Sequence, residues 1–113
     1  MSFLIVYLDD EELLCDVFKE YLQSDELKIH TFTEEAAAIN YCKNNPVDLL
    51  CLDYSLMHQT GDEVAAIIDK NIPKILITGE LSVTPTYNFI KIIKKPYRLA
   101  ELKTHITDIL MQH

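Results

Sequence analysis

Residues 47–53 read VDLLCLD, an almost continuously apolar run that ends in a carboxylate. Such a run is typical of a central strand in a parallel sheet, because helices cover that strand on both faces. The chain carries four more runs of strand length, at residues 3–8, 27–32, 75–77 and 89–93. Segments with the apolar spacing of helices separate them. Five strands alternating with five helical segments predict an α/β fold with a doubly wound parallel sheet.

The segments between the predicted strands carry their own start and stop signals. Thr33 is predicted as an N-cap, with the acidic residues 34–35 in the first turn of the helix that it begins. Residues 62–63 are also acidic and are predicted to open a later helix. Pro85 lies within residues 80–88, so only a short or irregular helix is expected there.

Polar side chains follow four of the predicted strands. Asp9 and Asp10 come after the first strand and Asp53 after the third. Thr78 comes after the fourth strand and Lys95 after the fifth. Because ligands of open parallel sheets bind at the carboxyl ends of the strands, we expect these side chains to converge.

The predicted cluster combines carboxylates, a hydroxyl and an ammonium group. Crowded carboxylates raise one another's proton affinity unless a cation intervenes, and Mg²⁺ prefers oxygen ligands of this kind. Thr78 and Lys95 are suited to hold phosphoryl oxygens. Asp53 lies on the central strand, so we assign it the role of a nucleophile that forms an aspartyl-phosphate.

Each of these positions also has an ordinary explanation when it is taken alone. Asp9 and Asp10 could cap the following helix, and Asp53 could be a loop acid. The pair at residues 78–79 could form a simple turn, and Lys94 is a rival to Lys95 for the ammonium role.

Composition limits the other possibilities. The chain has 113 residues, 49% apolar and 25% charged, which predicts one globular domain over residues 1–113. No apolar run approaches the roughly 20 residues of a membrane span, and the first residues carry no export signal, so a cytoplasmic location is expected. The three cysteines lack C-x-x-C spacing, which favours reduced thiols. A net charge of −8 argues against direct binding of nucleic acid.

Four motifs resemble, in order, the receiver domain of two-component response regulators. They are LIVYLDDEELL at residues 4–14, LLCLDYSLMHQTGDEV at 49–64, KILITGE at 74–80 and IIKKPY at 92–97. The resemblance covers essentially the whole chain. It implies a flavodoxin-like sheet with strand order 2-1-3-4-5, helices on both faces and a shortened fourth helix.

The same resemblance implies roles for individual residues. Asp9 and Asp10 correspond to the acidic pair, with Asp10 a direct Mg²⁺ ligand, and Asp53 corresponds to the phosphoacceptor and a further metal ligand. The backbone carbonyl of Ser55 would complete the protein ligands. Thr78 is similar to the switch hydroxyl of the family. Lys95 is similar to the lysine that precedes a proline there.

The chain departs from the family pattern in its second half. Ile92 stands where receivers usually carry an aromatic switch residue, so that coupling is absent or rerouted through Tyr87 or Tyr97. Met57 replaces a frequent proline, which predicts a less rigid loop over residues 54–60. A shortened stretch around residues 80–90 predicts an altered output surface.

The resulting hypothesis is a Mg²⁺-dependent receiver that takes a phosphoryl group onto Asp53 from a sensor histidine kinase or a phosphotransfer protein. No second domain follows the last predicted helix, so output is expected through a protein effector, or through a fused output domain if this receiver is cut from a longer protein. One alternative is a receiver-like interaction module that acts without phosphorylation. Another is a small phosphatase, although that class needs a second acid where this chain has Ser55.

Overall fold

The computed structural model describes residues 2–80 and 84–112. These residues form five strands and four helices. In chain order the elements are β1 (Phe3–Leu8), α1 (Glu12–Leu22), β2 (Leu27–Phe32), α2 (Glu35–Asn44), β3 (Leu49–Asp53), α3 (Gly61–Ile67), β4 (Lys74–Thr78), β5 (Lys91–Lys94) and α4 (Leu99–Gln112).

The strands form one parallel sheet in the order β2-β1-β3-β4-β5. Every residue of the central strand β3 is buried, as its continuous apolar run predicts. The predicted doubly wound sheet and its strand order are therefore confirmed.

Two apolar clusters cover the two faces of the sheet. Alternate residues of each strand point to opposite faces, so Ile5 and Tyr7 enter the cluster under α1 and α4, whereas Val6 and Leu8 enter the cluster under α2 and α3. This alternation decides which polar side chains meet beyond the strand ends.

The β4–β5 connection differs from the prediction. Residues 79–80 and 84–90 contain no helix, and residues 81–83 of the predicted helical segment lie outside the described residues. Asp62 of α3 accepts hydrogen bonds from the backbone and the hydroxyl of Thr86, at 2.6 and 3.1 Å. Lys74 donates to the Tyr87 hydroxyl at 2.8 Å. Residues 86–87 of this connection are thus held by individual polar contacts.

Two element boundaries also need correction. Helix α2 begins at Glu35 with Glu34 as its N-cap and no side-chain capping bond, so the prediction of Thr33 as the cap is wrong. Strand β5 begins at Lys91, two residues later than predicted, and Phe89 before it packs on the cluster under α2 and α3. Among the described residues, no helix combines the length and the apolar character that a membrane crossing requires.

Candidate functional site

The acidic edge of the sheet lies beyond the carboxyl ends of β1, β3, β4 and β5. Asp9 follows β1 directly, and Asp53 and Thr78 are the last residues of β3 and β4. The Lys95 backbone N–H donates to the Thr78 carbonyl at 2.8 Å, which extends the pairing of β4 with β5 by one step. The strands therefore deliver the predicted polar residues to one edge.

Lys95 joins two carboxylates at this edge. Its Nζ lies 3.0 Å from Oδ1 of Asp53 and 3.8 Å from Oδ2 of Asp9. Asp9 and Asp53 are both buried, so their charges interact across little water. Lys94 is exposed on β5 and makes neither of these contacts. The structure thus brings Lys95, and not its neighbour, to the acids.

Three carboxylates form a cluster that fits a divalent cation. Asp9, Asp10 and Asp53 each offer an oxygen, and these oxygens lie within 4.8 Å of one another. Carboxylate oxygens are the donors that Mg²⁺ prefers, and one or two of them suffice because this ion keeps several waters. The donor set therefore suits the ion that the sequence predicts.

Burial and neighbouring charges act in opposite directions on the site's titrating groups. Burial raises the pKa of Asp53 from its ordinary 3.8 to about 6, and the charges of Asp9 and Asp10 add to this while Lys95 opposes it. Burial alone would lower the pKa of Lys95, but its hydrogen bond and ion pair with Asp53 outweigh that effect and raise it. The charged form of Asp53 is therefore disfavoured in the folded protein, and a bound cation would stabilise it.

Asp9 is held by two hydrogen-bond donors and by a longer ion pair with Lys95. Its Oδ1 accepts from the Glu11 backbone N–H at 3.0 Å. Its Oδ2 accepts from the Tyr7 hydroxyl at 2.7 Å. The Nζ of Lys95 lies 3.8 Å from the same oxygen. Sequence reasoning missed Tyr7. The available signal was a tyrosine two residues before Asp9, which strand alternation places on the same face.

Thr78 and Ser55 meet a shared neighbour, Glu80. The buried Thr78 hydroxyl oxygen accepts from the Glu80 backbone N–H at 3.0 Å. The Ser55 hydroxyl donates to a Glu80 carboxylate oxygen at 3.1 Å. The contacts of Ser55 thus involve its side chain, and the role of its backbone carbonyl as a metal ligand stays a prediction.

The β3–α3 loop is held against Asp53 by tight backbone packing. A Cβ atom at Gly61 would lie 2.7 Å from the Asp53 carbonyl oxygen, so only glycine fits this close approach. Thr60 caps α3 by a reciprocal pair of hydrogen bonds with Glu63. The capping box begins this helix earlier than the acidic residues 62–63 had suggested.

Glu35 of α2 secures the same loop from the other side. Its Oε2 accepts from the backbone N–H groups of His58 and Gln59, at 2.5 and 2.9 Å. Burial by itself would raise the pKa of Glu35. Hydrogen bonds from the backbone N–H groups of Glu35, His58 and Gln59 outweigh this effect and lower the pKa. A buried carboxylate therefore braces the loop that follows Asp53.

The proposed substitutes for the missing aromatic residue lie on opposite faces of the sheet. Ile92 is 44% exposed on β5. Tyr97 packs against the cluster under α1 and α4, whereas Tyr87 packs against the cluster under α2 and α3. Tyr97 is thus the one on the same face as Tyr7, and rerouted coupling through either tyrosine stays a hypothesis.

Comparison with known proteins agrees with this geometry. The family model of the response regulator receiver domain matches residues 4–107. The heme response regulator HssR of Staphylococcus epidermidis is 25% identical over 118 residues, which cover 94% of this chain and 50% of the relative. The cyclic di-GMP phosphodiesterase response regulator RpfG of Xanthomonas campestris is 29% identical over 118 residues, covering 94% and 31%. The chain spans half or less of these relatives' length.

Solved receiver domains share the fold. A CheY-like receiver protein from Methanospirillum hungatei superposes with a TM-score of 0.89 at 20% identity, covering 99% of this chain and 96% of its own. The response regulator TrrA from Thermotoga maritima, solved in complex with Mg²⁺ and BeF, has a TM-score of 0.84 at 26% identity, covering 96% and 99%. By the matched family model, the shared fold and the acidic edge, this chain belongs to the response regulator receiver domains of two-component systems.

Proposed function

We propose that this chain accepts a phosphoryl group on Asp53 from a phosphohistidine of a sensor kinase or phosphotransfer protein, in a Mg²⁺-dependent reaction. Phosphorylation then switches the binding of a downstream protein or a fused output domain. The observation that carries the proposal is the 3.0 Å contact between Lys95 Nζ and Asp53 Oδ1 beside the three-carboxylate cluster. We further propose that this takes place in the cytoplasm.

The reaction needs a charged carboxylate with one oxygen available to attack. With its pKa at about 6, Asp53 is mostly ionised at neutral pH. Lys95 holds Oδ1, which leaves Oδ2 to form the new P–O bond while the P–N bond of the phosphohistidine breaks. The departing electron pair stays on the imidazole nitrogen, which then takes up a proton. The product is an aspartyl-phosphate and a neutral histidine.

The remaining residues bind the charge that the phosphoryl group brings. Asp9, Asp10, Asp53 and the Ser55 carbonyl would hold Mg²⁺, which when bound neutralises charge on phosphoryl oxygens. Lys95 supplies a second positive charge next to Asp53. The Thr78 hydroxyl accepts a hydrogen bond from the Glu80 backbone N–H, and within residues 2–80 and 84–112 its own proton has no acceptor, so it can be donated to a phosphoryl oxygen. Alignment and neutralisation of this kind are most of what phosphoryl transfer asks of a protein.

The surface beside the acidic edge offers a place for a protein donor. Leu13, Val17 and Tyr21 recur every four residues on α1 and are all exposed. A groove of about 500 Å³ next to them is lined by Leu14 and Lys95, among others. An exposed apolar patch of this kind supports docking of a partner, here within reach of Lys95.

The test is intact mass spectrometry after incubation with Mg²⁺ and acetyl phosphate. We expect one acid-stable, base-labile phosphate on the wild type and none on Asp53→Asn. Asp16→Asn is the matched control, because Asp16 is an exposed acid on α1, and it should be phosphorylated like the wild type. Excess EDTA should abolish the reaction. A phosphate that persists on Asp53→Asn would refute the assignment.

Partner binding distinguishes this proposal from an interaction module that needs no phosphate. Under the proposal, Asp53→Asn loses the response of partner binding to the phosphoryl donor. Binding that is equally strong for the wild type, the phosphorylated wild type and Asp53→Asn would favour the module.

A further inference from the structure

We propose that Tyr7 is a positioning residue of the Mg²⁺ site: its buried hydroxyl holds the Asp9 carboxylate in the orientation that the cation site requires. The inference rests on the proposed function, since it concerns the metal affinity of the same acidic edge. It assigns a role to a core residue that lies within the first motif without a role there and that the metal cluster does not include.

The Tyr7 hydroxyl is placed by a rigid environment. Tyr7 is completely buried on β1, and its ring stacks on Phe18 of α1 with centroids 4.1 Å apart and planes 8° from parallel. The ring has little room to rotate or shift, so the position of the hydroxyl is set by the core. From there the hydroxyl donates to Oδ2 of Asp9 at 2.7 Å.

The Tyr7 hydroxyl is the one group within hydrogen-bond distance of Oδ2 of Asp9 among the contacts described above. The Glu11 N–H satisfies Oδ1, and Lys95 Nζ is 3.8 Å from Oδ2, which is beyond hydrogen-bond distance. Loss of the Tyr7 hydroxyl leaves a buried carboxylate oxygen without its close donor. Lys95 is then the nearest group of opposite charge, and a shift of its Nζ toward Asp9 would alter its contact with Asp53, which is now 3.0 Å.

Such a movement would disturb the carboxylates of the metal site, although neither Tyr7 nor Lys95 is one of its ligands. Mg²⁺ demands near-ideal octahedral geometry, so carboxylates that reorient bind it less well. Groups that orient metal ligands typically change metal affinity 10- to 100-fold when they are mutated. We therefore expect Tyr7 to act through Asp9 and Lys95 on the affinity of the acidic edge for Mg²⁺.

The test is the Kd for Mg²⁺ measured by isothermal titration calorimetry on Tyr7→Phe. This change keeps the ring that stacks on Phe18 and removes the hydroxyl, and we expect the Kd to rise about tenfold or more. Tyr87→Phe is the matched control, because it removes a phenol hydroxyl bonded to Lys74 at 2.8 Å on the other face of the sheet. Its Kd should equal that of the wild type. A Tyr7→Phe Kd within twofold of the wild-type value, or an equal weakening in both variants, would overturn the inference.

A second measurement uses the wild type and does not depend on the folding of a variant. A buried, bonded phenol proton exchanges slowly with water, so the Tyr7 hydroxyl resonance should be visible by NMR and should persist at saturating Mg²⁺. Its disappearance on Mg²⁺ binding would show that Asp9 gives up this bond, and would overturn the inference.

The failures of the two proposals are distinguishable. If the wild type fails to bind Mg²⁺, the proposed function falls and the role of Tyr7 falls with it. If the wild type binds Mg²⁺ and is phosphorylated on Asp53, while Tyr7→Phe binds Mg²⁺ equally well, only the role of Tyr7 is refuted.

Discussion

Asp53→Asn should make the metal-free protein more stable at neutral pH, although it removes the proposed phosphoacceptor. Burial raises the pKa of Asp53 from 3.8 to about 6 in the folded chain. A carboxyl group whose folded pKa is raised favours the folded state when protonated and loses that contribution as pH rises through the folded pKa. Two pKa units at about 1.4 kcal/mol each give a loss of about 3 kcal/mol between pH 4 and pH 8. The neutral amide does not suffer this loss.

The assay is urea unfolding of both proteins, followed by circular dichroism, in EDTA across that pH range. Subtracting the two free energies of unfolding removes the titration of groups that do not interact with Asp53. We expect a difference near zero at pH 4 that grows to about 3 kcal/mol in favour of Asp53→Asn at pH 8. Asp16→Asn, at an exposed site, should show no such growth. A difference that is the same at both pH values would refute the argument that Asp53 is held in a costly charged state.

Added Mg²⁺ should reverse the order of stability at pH 8. A ligand that binds only the folded state stabilises it by about 4.1 kcal/mol at 1,000 times its Kd, which exceeds the roughly 3 kcal/mol in favour of metal-free Asp53→Asn. The wild type should gain this stability and Asp53→Asn should gain much less, because one carboxylate of the cluster is gone. Equal gains in both proteins would mean that Asp53 is not a metal ligand.

Three further changes test the packing around the site by urea unfolding. Gly61→Ala should cost about 1–3 kcal/mol, because its Cβ would lie 2.7 Å from a backbone oxygen. Gly79→Ala is its control, since that Cβ meets only ordinary contacts at 3.7 Å, and equal losses would contradict the reasoning. Thr60→Ala should cost about 1 kcal/mol through loss of the capping box and Thr60→Ser much less, so equal costs would count against the cap. Lys74→Met should cost about 1–3 kcal/mol, because three acceptors lose a buried donor, and an unchanged midpoint would show that water replaces it.

The sheet and its acidic edge could be predicted because burial leaves a simple signal in parallel strands. Leu49–Asp53 is buried throughout and contains no polar residue before its last position. This segment can therefore be recognised as a central strand from its own sequence alone. Once the strands are known, parallel pairing alone sends Asp9, Asp53 and Lys95 to one edge. Their convergence is therefore a property of topology and needs no detail of packing.

What could not be predicted depends on contacts between distant residues. Thr33 has the chemistry of an N-cap, yet α2 begins later and its Glu35 carboxylate binds the backbone at His58 and Gln59 instead. Tyr7 looks like one more apolar strand residue until Asp9 is placed beside it. The role of Glu35 requires knowing which distant residues face each other, whereas strand alternation alone could have paired Tyr7 with Asp9.

The last strand of the sheet, β5, has a consequence for how the molecule behaves in concentrated solution. It pairs with β4 on one side only, it is four residues long, and Lys91 and Lys94 are exposed at its two ends around the exposed Ile92. Short edge strands that carry lysines resist the addition of strands from other molecules. Replacing both lysines with valine would make this edge strand a site at which strands of other molecules could add and aggregate. The positive charges on β5 therefore protect solubility in a chain whose net charge is otherwise strongly negative.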